Sequence, residues 1–143
     1  MKVEIVQRLE EYFAKNSILR GNPASEAAIS AAERQLGCKF APEYAEFLRL
    51  FGCGVVGPDP VFGIGADAVD AMGSEDDVVT QTKQFRAQHW PGLTDWYVIS
   101  VDGRGNPIGV GPDGRVRLSD HDVGDVTVIA ENFESFLAKN LSQ

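Results

Sequence analysis

The chain has 143 residues, the usual length of one domain, so we predict a single domain over residues 1–143. Hydrophobic residues make up 43% of it, too many for a disordered chain even at a formal net charge of −8. The first fifteen residues mix charged with apolar side chains, which excludes a secretory signal or membrane span there and favours a cytoplasmic protein.

Three helices are predicted in the first part of the chain. Apolar residues recur at helical spacing over residues 3–13 and stop before a Gly-Asn-Pro sequence. Ser25 is a suitable N-cap for a second helix, which Gly37 ends. Pro42 suits the first turn of a third helix, which Gly52 closes.

The acidic segment, residues 59–77, comes next and contains neither lysine nor arginine. Its six acids are Asp59, Asp67, Asp70, Glu75, Asp76 and Asp77. Such a surface repels a phosphate backbone and attracts a basic protein, so we predict no nucleic-acid partner. The alternative is a solvated loop that only keeps the protein soluble.

The second half of the chain changes from helical to strand-like periodicity. A weaker helix over residues 78–85 precedes a β-branched and aromatic run at 96–101, which predicts a buried strand in the middle of a sheet. Asp113-Gly114 predicts a hairpin between two further strands, residues 126–129 predict another, and Asn132 can cap a last helix. With short strands near 55–56 and 61–62, we predict an α+β fold. It has a mainly antiparallel central sheet of about five to six strands, packed by N-terminal helices and a C-terminal helix.

Two sequence patterns resemble phosphate-binding and calcium-binding loops but lack features that such loops require. Gly-x-Gly-x-x-Gly occurs at residues 52–57 and 109–114, yet the first copy follows a helix and the second lies inside a hairpin. Asp102, Arg104 and Asn106 imitate a calcium loop, but the arginine would repel the ion. We predict turns at these places and no cofactor.

Asp120-His121-Asp122 is a better metal candidate, with Asp125 and His89 available to complete a shell. Adjacent side chains on an extended segment point to opposite faces, so the triplet converges only at a sharp turn. We predict a polar turn and no metal site. Neither a Gly-x-Ser-x-Gly elbow nor a His-Glu-x-x-His motif occurs in the sequence, so we predict no catalytic residue and no enzyme.

Three stretches together resemble the SUKH superfamily, which includes the fungal Smi/Knr cell-wall regulators. They are AAISAAERQLGCKFAPEYAEFLRLFGCG, WYVISVDGRGNPIGVGPDGRVRLSDHD and VIAENFESFLAKNL, within about residues 22–141. The matching features are a Leu-Gly helix end, a proline at the start of the next helix, an Asp-Gly-x-Gly-Asn turn, an Asp-His pair and a Phe-x-x-Phe-Leu helix. These are core and turn residues, which specify a SUKH-like fold and not an active site.

The resemblance also implies a function, because bacterial members of the superfamily are chiefly immunity proteins of polymorphic toxin systems. They bind a cognate toxin, often a nuclease, and block its active surface. We therefore expect a cytoplasmic bacterial protein, monomer or homodimer, whose partner is a basic toxin domain. The expected contacts are the acids of the segment with two aromatic anchors: Asp59, Phe62, Asp67, Asp70, Glu75, Asp76, Asp77 and Trp90.

Two other functions stay open at this point. A regulatory protein-interaction scaffold, like the fungal relatives, would be expected to carry long disordered arms, and none is visible in the sequence. An uncharacterised enzyme or a small-ligand or metal binder would require a convergent polar site, with His89 or His121 beside buried carboxylates.

Overall fold

The computed structural model of the chain describes residues 1–64 and 77–142, and over these residues the predicted α+β fold is confirmed. The helices are α1 (Val3–Lys15), α2 (Glu26–Leu36), α3 (Pro42–Leu50), α4 (Val78–Ala87) and α5 (Phe133–Leu141), with a short 3₁₀ turn at Ser17–Leu19. The strands are β1 (Gly54–Val56), β2 (Asp59–Val61), β3 (Tyr97–Val101), β4 (Pro107–Val110), β5 (Val116–Asp120) and β6 (Asp125–Ala130). None of these helices is long and apolar enough to span a bilayer.

The helix ends follow from local chemistry. Ser25 caps α2, because its hydroxyl accepts the N–H of Ala28 at 3.1 Å. Gly37 ends the same helix in the left-handed conformation, at φ 69°. The side chain of Asn132 accepts the N–H of Ser135 at 2.8 Å and caps α5. These three predicted boundaries are confirmed.

The strands form a four-stranded antiparallel sheet, in the order β3-β4-β5-β6, and a separate hairpin of β1 and β2. β3 is therefore at one end of the sheet and not in its middle, which corrects the sequence-based prediction. It is buried nonetheless, because its outer edge is covered. The N–H of Val98 donates to the Thr82 hydroxyl of α4 at 2.8 Å, and the Phe62 N–H donates to the Ile99 carbonyl at 2.7 Å.

An aromatic cluster joins the helices to the sheet. Tyr44 of α3 packs against Tyr97 of β3 and against Phe133 of α5, with ring centroids 5.5 and 5.2 Å apart. The fully buried Tyr44 hydroxyl donates to the Phe62 carbonyl at 2.6 Å, and burial raises the pKa of its phenol well above the ordinary value. One core therefore holds α3, α5, β3 and the β1–β2 hairpin together.

Candidate partner-binding surface

The acidic segment begins on β2, which contains the first predicted contact residue, Asp59, and is followed directly by the second, Phe62. The Asp59 carboxylate is partly buried, which raises its pKa, and it accepts a hydrogen bond from Asn140 Nδ2 at 3.2 Å. The Phe62 ring is only 2% exposed and belongs to the core. It has no surface for a partner, so we remove Phe62 from the proposed contacts. The sequence does not reveal this burial, because it depends on contacts with distant residues: the Phe62 N–H donates to the Ile99 carbonyl of β3, and its carbonyl accepts the Tyr44 hydroxyl of α3.

Asp77 lies where the chain returns from the acidic segment to the core. Its carboxylate caps α4, since it accepts the Val79 N–H at 2.8 Å and the Thr80 hydroxyl at 3.0 Å. The Val78 N–H donates to the Gly63 carbonyl at 2.8 Å, so the two ends of the segment lie side by side. Four predicted contact residues lie outside the described residues: Asp67, Asp70, Glu75 and Asp76.

Trp90 lies at the other end of α4, which has 10 residues and is therefore about 15 Å long. Its ring packs edge-on against Phe85 and against His121, with centroids 5.4 and 5.1 Å apart. Its Nε1–H donates to Gln88 Oε1 at 2.9 Å, and the side chain is half-buried. The structure thus separates Trp90 from Asp77 and brings it beside the end of β5.

β5 and β6 are joined by a tight turn, residues 121–124, which confirms the predicted polar turn. The Gly124 N–H donates to the Asp120 carbonyl at 2.8 Å, and the Asp122 N–H donates to Asp120 Oδ1 at 2.9 Å. This reversal brings one ligand atom each of Asp120, His121 and Asp122 within 4.8 Å of one another. The sequence argument required a sharp turn for these side chains to converge, and the structure contains that turn.

Both ring nitrogens of His121 already have protein partners. Nδ1 lies 2.7 Å from Asn106 Oδ1, and Nε2 lies 3.2 Å from Asp122 Oδ1. Asn106 is buried, and its amide also donates to Asp102 Oδ2 at 3.1 Å. Carboxylate and imidazole atoms suit a transition metal, but such an ion would have to displace Asp122 or Asn106 from the ring.

The charge at this turn is uncompensated. Among the described residues, no lysine or arginine forms an ion pair with the carboxylates of Asp120, Asp122 or Asp125. Asp113 at the opposite end of β5 differs, because the Arg117 guanidinium pairs with it and lowers its pKa far below the ordinary value. We call Trp90, His121, Asp120, Asp122 and Asp125 the hairpin surface. Its signal in the sequence is three acids within residues 120–125, a stretch without lysine or arginine.

Comparison with known proteins identifies the family of the chain. The chain matches the model of the SMI1/KNR4 family (SUKH-1) over residues 23–139. A search of curated proteins finds no match to the chain. The matched range runs from before α2 into α5 and contains both the acidic segment and the hairpin surface, whereas α1 lies outside it. Because the match covers most of its length, the chain belongs to the SMI1/KNR4 family (SUKH-1).

Proposed function

We propose that this protein is an immunity protein that binds a cognate toxin domain and neutralises it by occluding its active surface. The main support for the proposal is the family match over residues 23–139. These residues contain nearly all of the hydrophobic core. On this proposal the protein acts in the cytoplasm of a bacterium, has a protein partner and no nucleic-acid partner, and catalyses no reaction.

The charge distribution supports a basic partner. The chain has a formal net charge of −8, and six of its acids lie in the acidic segment. The hairpin surface adds three more carboxylates without a lysine or arginine partner in the described part of the chain. A toxin that grips phosphate has a basic surface, and an acidic protein can be steered onto that surface and cover it.

The proposed contacts are those expected from the sequence, without the buried Phe62. Asp59 and Asp77 are the first and last residues of the acidic segment, and Trp90 contributes a partly exposed ring to the hairpin surface. Aromatic rings beside charged groups are typical of residues that dominate protein–protein affinity. The full proposed set is Asp59, Asp67, Asp70, Glu75, Asp76, Asp77 and Trp90.

On this proposal a neighbouring gene encodes the toxin domain, and co-expression with that domain tests the proposal. We expect the protein to form a complex with that domain and to restore growth of cells that express it. Failure to bind the domain, or binding without protection, would contradict the proposed function.

A charge-reversal pair tests the electrostatic part. The triple variant Asp70→Lys, Glu75→Lys, Asp76→Lys should weaken toxin binding and reduce its salt dependence. The control reverses three exposed acids of α1, Glu4, Glu10 and Glu11, and changes the net charge equally. An equal loss of affinity in both variants would show that net charge alone, and not the acidic segment, attracts the partner.

A further inference from the structure

β6 is the last strand of the sheet, and no strand of the described residues covers its outer edge. The sheet order is β3-β4-β5-β6, and within residues 1–64 and 77–142 no strand pairs with the far side of β6. The opposite end of the sheet is different, since Thr82 and Phe62 hydrogen-bond to the outer edge of β3. Every second residue of a regular end strand turns its N–H and C=O outward. The pairing of β6 with β5 is regular from Asp125 to Val128 and shifts register between Val128 and Ala130, so Val126 and Val128 are the residues expected to present such groups.

β6 is also accessible from both faces. Thr127 is exposed, and it lies across from Leu118 on the face of the sheet that the helices cover. Val128 is 44% exposed on the other face. The strand has six residues and contains no lysine, arginine or proline, the residues that usually protect an exposed edge from a further strand.

One side chain occupies part of this edge. The Asp125 carboxylate accepts the N–H of Val126 at 2.8 Å, which shows that this N–H points away from β5. Residues two apart on a strand share an orientation, so the Val128 N–H also points outward. An incoming strand must take the Val126 N–H from Asp125. A cationic side chain on that strand would pair with the released carboxylate and offset the loss.

We propose that β6 is extended by an extended, basic segment of the protein partner, which adds a strand to the sheet beside the hairpin surface. This inference rests on the proposed function and specifies how the toxin domain is held. Main-chain hydrogen bonds to β6 supply affinity, as in other strand additions. Asp122 and Asp125 select cationic side chains, and Trp90 and His121 lie at the hairpin end of the contact.

Charge argues against a second copy of this chain on the same edge. Two copies of β6 paired antiparallel would form an isologous contact, so each hairpin end would meet the other strand's C-terminal end. That arrangement sets Asp122 and Asp125 of one copy near Glu131 of the other. Carboxylates brought together in this way repel, and a basic strand from a different protein meets no such repulsion.

Hydrogen–deuterium exchange of the protein with and without the toxin domain encoded beside its gene tests the proposal. We expect the complex to protect the amides of Val126 and Val128 by about tenfold or more. Unchanged exchange along β6 in a complex that does form would overturn the strand addition and leave the proposed function standing. Absence of a complex would overturn both. Protection that rises with the concentration of the protein alone would show that a second copy occupies the edge, which also overturns the proposal.

A matched pair of variants tests the strand addition independently. Val128→Pro removes the outward N–H, so we expect the dissociation constant for the toxin domain to rise by about tenfold or more. Val128→Thr keeps the N–H and the β-branched shape, so its dissociation constant should stay within about twofold of the original. Equal affinities for both variants, each shown to be folded by circular dichroism, would overturn the proposal.

Discussion

Residues 102–106 and residues 120–125 are both aspartate-rich turns at the same end of the sheet, but their carboxylates have different partners. Asp102 accepts the N–H groups of Arg104 and Asn106 and the side-chain amide of Asn106, all within 3.1 Å. Asp122 and Asp125 are exposed to solvent. The half-buried Asp102 carboxylate accepts three hydrogen bonds and stabilises its turn, whereas the Asp122 and Asp125 carboxylates have one partner each in the described part of the chain, His121 and the Val126 N–H, and remain exposed to a binding partner.

Asn106 links the two turns, and its replacement should have the largest effect. The side chain is 1% exposed. It donates to Asp102 and accepts from both the backbone N–H and the ring of His121, so Asn106→Ala removes three hydrogen bonds and leaves a cavity. We expect a loss of about 2–3 kcal/mol in the free energy of unfolding, measured by urea denaturation. Asp122→Ala is the control on the exposed turn and should stay within about 0.5 kcal/mol. Similar losses for both would mean that the two turns do not differ as described.

Asp102 should make stability depend on pH. Burial is the largest single influence on this carboxyl and favours its protonated form, but the hydrogen bonds from Asn106 and Arg104 together outweigh burial and lower the pKa. The stabilisation is therefore complete above the unfolded pKa, about pH 4, and is lost as the pH falls through the lower folded pKa.

Asp102→Asn tests this dependence. We expect it to lower stability at neutral pH by about 1–2 kcal/mol and to flatten the decline between about pH 4 and pH 2. The decline should not disappear, because the pKa of Asp113 is also lowered by Arg117. An unchanged acid slope, measured by thermal unfolding across this range, would contradict the assignment to Asp102.

Replacing the glycine of either turn should lower stability by the same amount. Gly105 and Gly124 have φ angles of 81° and 71°, and an added Cβ at either position meets no atom within 4 Å. Alanine at either site should therefore cost about 1 kcal/mol from backbone strain alone. Calorimetric melting of both variants measures it. A much larger loss of stability for the Gly124 variant would show that contacts beyond the backbone conformation stabilise its turn.

Asp122→Asn should have the smallest effect on stability and a distinct effect on binding. Because Asp122 is exposed, we expect unfolding to change by less than about 0.5 kcal/mol. Association with the toxin domain should slow about two- to fivefold at low salt and less at high salt. Stopped-flow binding checks this, with Glu10→Gln on α1 as the control. A Glu10 variant that slows association equally would remove the special role of the hairpin surface.

The sequence predicts those parts of the fold that depend on local chemistry. Ser25, Gly37 and Asn132 mark helix ends because caps and left-handed glycines act within a few residues of the chain. Strand order depends on contacts between distant residues. The burial of β3 therefore suggested a central position, although Thr82 and Phe62 produce that burial from outside the sheet.

The candidate site is predicted less completely, for the same reason. The charge of the acidic segment can be read from the sequence. The burial of Phe62 and the distance between Trp90 and Asp77 depend on how α4 and the chain after β2 pack in the fold. The convergence of Asp120, His121 and Asp122 depends on a reversal whose geometry adjacent residues do not reveal. The open edge of β6 is a property of the whole sheet.

The most direct test of the central claim is a titration of the purified protein into the toxin domain encoded beside its gene, with toxin activity followed at each step. We expect a saturable complex in which activity falls in proportion to the fraction bound, as occlusion of the active surface requires. Full toxin activity in the saturated complex, or no complex at all, would contradict the account.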